Sequence, residues 1–294
     1  MKKSQLPKLR FLIPYLLLTP TLILVGSFFF YPVMQAVRLS FTKFYLLASR
    51  NPQFIGLGNF QRLLQDSVFH KAMIQSIYWV VGSNIAHFLI GLGFALFMNQ
   101  RFKFRGLWRG LFLVPWVVPV AVFGILWQWM YNMEWGIINL TLLDWRIVDE
   151  PIDWLGNKNI VWFSVILANG WKNFGFMYIC FLSGLQTIPG NLYEAAKIDG
   201  ANRWQKFIHI TISGLRPVLT VVILLGVVWT FNDFNVIWLL TKAGPGYDTV
   251  VYGPLLYLQA FKFYRFGYAS AIGITGFAGV MIAAILYVKK MEIK

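Results

Sequence analysis

Val218-Leu219-Thr220-Val221-Val222-Ile223-Leu224-Leu225-Gly226-Val227-Val228-Trp229-Thr230-Phe231 carries no charge and, continued through Asn232-Asp233-Phe234-Asn235 to Leu240, is long enough to cross a bilayer. A hydrocarbon core about 30 Å thick needs roughly 20 apolar residues of helix. Five further stretches meet that length: Phe11 to Tyr31, Ile77 to Met98, Leu111 to Met130, Ile160 to Leu182 and Ala269 to Val288. Strands of a membrane barrel alternate apolar and polar over about 10 residues, whereas these runs are apolar on every face. The reading is an all-α, polytopic membrane protein with six transmembrane helices. Composition agrees, since 58% of the 294 residues are hydrophobic, 18% aromatic and only 13% charged. A soluble domain carries about 25% charged residues and could not cover its surface with half that number.

The 26 Lys and Arg against 11 Asp and Glu give a net charge of +15. In a soluble chain that would suggest nucleic acid, but most of the basic residues fall between apolar runs, where basic loops face anionic lipid. No nucleic-acid partner is expected; membrane lipid is. The N-terminal tail 1–10 holds Lys2, Lys3, Lys8 and Arg10. Arg101 to Arg109 and the segment 183–217 hold four basic residues each, and the tail 289–294 three. The three opposite connections are poorer in total, at ten against fifteen, which places both termini in the cytoplasm. The first run is too long for a signal-peptide core of about 7 to 15 residues and lacks an A-x-A-like site after it, so it is expected to be a retained helix. Residues 11–288 then form one membrane domain. The lone Cys180 lies inside an apolar run, which excludes an intrachain disulfide and a cysteine zinc site.

The segment between the fourth and fifth runs reads Ile188-Pro189-Gly190-Asn191-Leu192-Tyr193-Glu194-Ala195-Ala196-Lys197-Ile198-Asp199-Gly200-Ala201-Asn202-Arg203-Trp204-Gln205-Lys206-Phe207. Pro189 and Gly190 stop one helix. Asn191 is placed to cap the next, with Glu194 three residues on as in a capping box. Gly200 supplies a C′ glycine, and Asn202 a cap for a following helix. Ala195 and Ala196 leave a smooth surface. The bland interpretation is a capped hairpin on the membrane surface; the alternative is a rigid knob linking a soluble motor to a membrane gate.

Glu194-Ala195-Ala196, followed by Asp199-Gly200-Ala201 and a hydrophobic stretch through Phe207, Ile210 and Ile212 to Pro217, resembles the loop of the membrane-spanning permease subunits of bacterial ABC importers for sugars, of the maltose-transporter type. Further matches are Gly56-Leu57-Gly58-Asn59-Phe60, Phe104-Arg105-Gly106, Pro115 and Pro119, Thr241 to Pro245 and Gly267 to Ser270; Ser213 departs from the frequent proline. The resemblance covers roughly residues 10 to 290 and implies a type I ABC importer permease fold in a bacterial inner membrane. It implies that Tyr193, Glu194, Ala195, Ala196, Asp199, Gly200 and Ala201 dock on a cytoplasmic ATP-binding subunit. The implied partners are a second permease in a heterodimer, two ATP-binding subunits and an extracellular or periplasmic sugar-binding protein. The chain has no G-x-x-x-x-G-K-[ST] motif. No cofactor is therefore expected on it, and ATP and Mg would belong to the ATPase.

A charge in hydrocarbon costs several kcal/mol and raises a functional hypothesis. Lys172 lies within Trp171-Lys172-Asn173 of the fourth run and Asp233 within Trp229 to Asn235 of the fifth, at depths differing by roughly 6 Å at about 1.5 Å per residue. They form either a structural ion pair or a polar patch on a translocation path. Trp171, Phe174, Gly175 and Tyr178 share one helical face, and Trp229, Asn232 and Asp233 another. Rings beside amides and a carboxylate suit a carbohydrate, whose C–H faces stack while its hydroxyls need donors and acceptors. Together with Asn173 and Asn235 these residues make the candidate substrate path, near mid-membrane as the resemblance implies. His87 and Asn84 are expected to bond neighbouring helices, and Trp127 and Trp129 to sit in an interfacial belt. Gly273, Gly276 and Gly279 permit close helix approach, as packing against a second permease requires.

His70, His87 and His209 are scattered and no acidic pair stands at catalytic spacing, so neither metal ligands nor catalytic residues are expected. The leading reading is a non-enzymatic permease subunit of an ATP-driven sugar importer. The alternative is a self-sufficient ion-coupled secondary transporter, which would call for inverted repeats and broken half-helices. A membrane-bound transferase would need clustered acids or histidines.

Overall fold

The computed structural model describes residues 6–48, 51–100 and 102–292; Lys2, Lys3, Arg50, Arg101 and Lys294 of the charge count lie outside them. Helix α1 (Leu6–Val25) passes through a π turn into α2 (Tyr31–Ser40), and most side chains from Pro14 on are exposed. Strands β1 (Thr42–Lys43) and β2 (Gln53–Phe54) pair antiparallel, Thr42 opposite Phe54. Next come α3 (Gly58–Gln65), α4 (Ser67–Met98), α5 (Arg105–Leu111), α6 (Val114–Val117), α7 (Val120–Met130), α8 (Ile137–Asp144) and α9 (Val161–Thr187). Two short helices, α10 (Gly190–Ile198) and α11 (Arg203–Lys206), lead through a second π turn into α12 (Ser213–Asn232). The chain closes with α13 (Asn235–Thr241), α14 (Tyr252–Tyr257) and α15 (Phe266–Glu292).

The described residues fall into two compact units, one within 1–66 and 256–278 and the other within 67–255 and 279–294. In the first, Asn59 Nδ2 donates to the carbonyls of Ser40 and Thr42, both at 2.8 Å, and pins the β1 hairpin. Arg62 lies 4.3 Å above the Tyr268 ring, and the Tyr268 hydroxyl donates to Asp66 Oδ2 at 2.5 Å. The second unit is built on α4 packed along α9. A Cβ on Gly91 would meet Met177 Cβ and the Tyr178 nitrogen at 3.0 Å, so glycine sets how closely the two helices cross. His87 Nε2 bridges to the Asn169 carbonyl at 3.1 Å, as expected, whereas Asn84 Nδ2 turns back to Val80 of its own helix.

The helices overrun the sequence boundaries, and two expected spans are broken. Arg105–Val117 and Val120–Met130 meet at 89°. Pro119 has no N–H to continue the ladder, and Val118, which precedes it, is driven to ψ 128°. The fifth span stops at Asp233, ψ 108°, before restarting as α13. The sequence offered no sign of broken half-helices beyond those prolines. Four described helices are long and apolar enough to cross a membrane, and the bent pair makes a fifth if counted as one span. Helix α9 has the length, at 27 residues, but Asn169, Lys172 and Asn173 dilute its hydropathy. Trp127 is no belt residue: at 6% exposure it packs with Phe123, Tyr131 and Trp171 in the core, while Trp129 is exposed.

Candidate functional site

Two sites emerge, one at mid-span and one in the segment between α9 and α12. At mid-span a cavity of about 260 Å³ is lined by Asn173, Phe176 and Met177 of α9, Gly226, Trp229 and Thr230 of α12, Asp233, His87 and Trp116. Asp233 stands in the break of the fifth span. Its Oδ1 accepts from the backbone N–H of Asn235 at 2.8 Å and of Val236 at 3.4 Å, capping the free donors at the start of α13. Phe176 and Trp229 meet edge to face, ring centroids 4.7 Å apart.

Lys172 and Asp233 are not within ion-pair distance; the two salt bridges among the described residues join Lys71 and Lys158 to Asp248. The Lys172 ammonium instead donates to the carbonyls of Trp116 at 2.9 Å and Pro115 at 3.3 Å. Those carbonyls lie at the C-terminal end of α6, where the bend leaves acceptors without helical partners and where a cation is favoured. Each charge therefore completes the backbone of a broken span. That overturns the direct pairing weighed from sequence, because each side chain finds backbone groups that a continuous helix would not offer.

Of the expected path residues, Asn173, Trp229 and Asp233 line the cavity. The face of Trp171, Phe174, Gly175 and Tyr178 turns away from it: Trp171 packs on Trp127 at 5.8 Å and Phe174 on Phe94 at 5.2 Å, where these rings border a separate apolar pocket, Gly175 lies beside Trp116, and Tyr178 is 1% exposed. The cavity face of α9 is the neighbouring Asn173-Phe176-Met177 stripe. Asn232 donates to its own helix at Val228, and Asn235 is exposed. Sequence reasoning missed Trp116. The proline pair around it was the available signal, since irregular backbone at membrane depth is tolerated only where it is buried or lines a cavity.

In the second site, Asn191 lies inside α10 rather than capping it. Pro189 holds the N-cap position, no side chain bonds there, and the expected box with Glu194 is absent because Pro189-Gly190 starts the helix two residues early. The far end is as expected. Gly200 takes φ +77°, its N–H reaches the Lys197 carbonyl at 3.3 Å, and the Ala201 N–H reaches Ala196 at 2.8 Å. Asn202 and Gln205 then close a reciprocal capping box at 2.9 and 2.8 Å. The Tyr193 hydroxyl lies 2.9 Å from Thr211 Oγ1 and ties α10 to the base of α12. Glu194, Ala195 and Asp199 are exposed, as are the apolar Ile198 and Trp204, at 87% and 69%. The segment between α9 and α12 thus leaves apolar side chains uncovered on both of its short helices.

Residues 87–289 match the family described as binding-protein-dependent transport system inner membrane component. The chain belongs to that family. Among curated proteins, this inner membrane component is 35% identical over 278 residues to the trehalose/maltose transport system permease protein MalF of Thermococcus litoralis, covering 94% of this chain and 92% of the relative. It is 30% identical to the sulfoquinovosyl glycerol transport system permease protein SmoG of Agrobacterium fabrum, covering 96% and 91%. Among solved structures, a bacterial ABC transporter involved in import of the acidic polysaccharide alginate aligns with a TM-score of 0.83 at 24% identity, covering 96% of both chains. The permease fold expected from the sequence, all-α and of type I, stands. So does the reading of a transport component rather than an enzyme. Family membership removes the self-sufficient secondary transporter, despite the broken spans.

Proposed function

We propose that this inner membrane component forms half of the translocation path of an ATP-driven sugar importer. Sugar would be delivered by an external binding protein, the second half supplied by another permease, and ATP with Mg bound by two separate ATPase subunits. Six spans with both termini cytoplasmic put the 183–217 segment on the ATPase side. The observation that carries the substrate is the mid-span cavity: Trp116, Phe176 and Trp229 offer rings for C–H faces, and Asn173, Thr230 and Asp233 offer hydrogen-bonding groups within the same wall. Two relatives named for sugar-derived solutes support the same class.

Coupling falls to Glu194, Ala195, Asp199 and Gly200, with Ala196 and Ala201 beneath them and the Tyr193 to Thr211 bond as the link to α12. The complete importer reconstituted in proteoliposomes provides the test. Replacing Ala195 with tryptophan enlarges a contact that needs a small side chain, so it should abolish sugar-stimulated ATP hydrolysis while the permease still purifies folded. Normal coupled uptake with Glu194, Ala195 and Gly200 all substituted would overturn the assignment.

A further inference from the structure

We infer that the cavity between α9 and α12 selects neutral saccharides over acidic ones, with Asp233 as the residue that excludes the acids. The inference rests on the sugar reading above and narrows it. Asp233 is a carboxylate in the cavity wall, and only one of its oxygens is engaged: Oδ1 takes the N–H groups of Asn235 and Val236, while Oδ2 accepts no hydrogen bond from the described residues. A second acceptor oxygen is thus available to a hydroxyl.

No basic side chain of this chain lies in the lining itself. Lys172 is directed at the Pro115 and Trp116 carbonyls and is not part of the wall; its charge is felt at Asp233 from beyond ion-pair distance, whereas a ligand in the cavity meets the carboxylate directly. His87, the other titratable group of the lining, is engaged through Nε2 with the Asn169 carbonyl. The remaining polar groups, Asn173 and Thr230, are neutral. A sugar hydroxyl donates to a carboxylate; a uronate or sulfonate group brought beside it meets like charge in a space largely walled by Trp116, Phe176 and Trp229, where water screens poorly. Such a site reads as permissive to neutral sugars and hostile to acidic ones.

The test uses the assembled importer in nanodiscs without its binding protein, so that selection upstream does not intervene. Equilibrium dialysis compares three neutral disaccharides, maltose, trehalose and lactose, each with the analogue in which one C6 hydroxymethyl is a carboxylate. At least one neutral sugar should bind at least about tenfold more tightly than its acidic partner, the scale of one unfavourable like-charge contact. Asp233→Asn keeps an acceptor for the α13 cap and removes the charge, so it should bring the pair to within about threefold. Acidic analogues binding as well as or better than the neutral ones overturn the inference and leave the sugar path standing. A tenfold ratio unchanged in Asp233→Asn overturns the assignment to this residue. If no sugar of either charge binds, the sugar reading falls and this inference with it. Should Asp233→Asn fail to assemble, the wild-type ratio still decides whether acids are excluded.

Discussion

Lys172 and Asp233 show how a membrane changes the meaning of a charge. In water a lysine near two carbonyls would gain little. Beside a bent span, the carbonyls of Pro115 and Trp116 have no other recorded partner among the described residues, and an acceptor held away from water and left unsatisfied costs about 1–3 kcal/mol. Lys172→Met should therefore lower the melting temperature of the purified permease by an amount corresponding to a few kcal/mol. Adding Asp233→Asn should not restore it fully, and the coupling energy from the double-mutant cycle should stay well below that of a direct buried ion pair, since the two charges act on each other only at a distance. A large favourable coupling would restore the ion pair. Outside the spans, the hydrogen bond from Lys71 to Asp248 at 2.6 Å, helped by the charges of Lys71 and Lys158, holds the Asp248 carboxyl below the usual carboxylate range. Its contribution is full above the ordinary aspartate value of 3.8 and is lost only as pH falls through the lower folded value. Hydrogen exchange in residues 244–251, corrected for intrinsic rate, should show the same protection at pH 5 and pH 7 in the native protein; Lys71→Gln should lose it at pH 7.

Among elements, the approach of α12 to α4 turns on one glycine. A Cβ on Gly226 would overlap Asn84 Oδ1 and come within 2.9 Å of Met177 Cε. Alanine favours a helix over glycine by about 1 kcal/mol, so an unobstructed Gly226→Ala would stabilise. Here it should lower the melting temperature, and Asn84→Ala added to it should return most of the loss, since the methionine tip moves easily and the amide does not. The helices themselves were legible as apolar runs, and the Gly200 and Asn202 boundaries as turn chemistry. What escaped was rotation and continuity. Residues 169–178 carry aromatic and polar groups on adjoining stripes, and nothing in one chain's periodicity says which stripe meets a cavity and which meets Trp127 or Phe94. The break at Asp233 escaped for the same reason. An aspartate in an apolar run reads as a charge to be neutralised, and only the three-dimensional path reveals it as a helix cap.

At the scale of the molecule, six apolar runs were plain, yet four continuous helices, one bent pair and the polar α9 are what they become. Hydropathy counts residues and does not register a bend. The proposed topology has its own check: in a Cys180→Ser background, a cysteine at Lys197 should resist membrane-impermeant maleimide on intact cells and react once the membrane is opened. Labelling from outside would reverse the orientation and detach the 183–217 segment from any cytoplasmic ATPase. The helix running from Arg203 to Asn232 gives that segment mechanical reach. Its 30 residues span about 45 Å at 1.5 Å per residue. One end adjoins the Tyr193–Thr211 bond and the other stops at the Asp233 cap. A rod of that length pivoting near its base by about 10° carries its tip through about 8 Å, by the same helical rise. The tip is where Trp229 and Asp233 border the cavity, so a small rocking motion at one membrane face would displace one wall of the cavity by more than the width of a sugar ring.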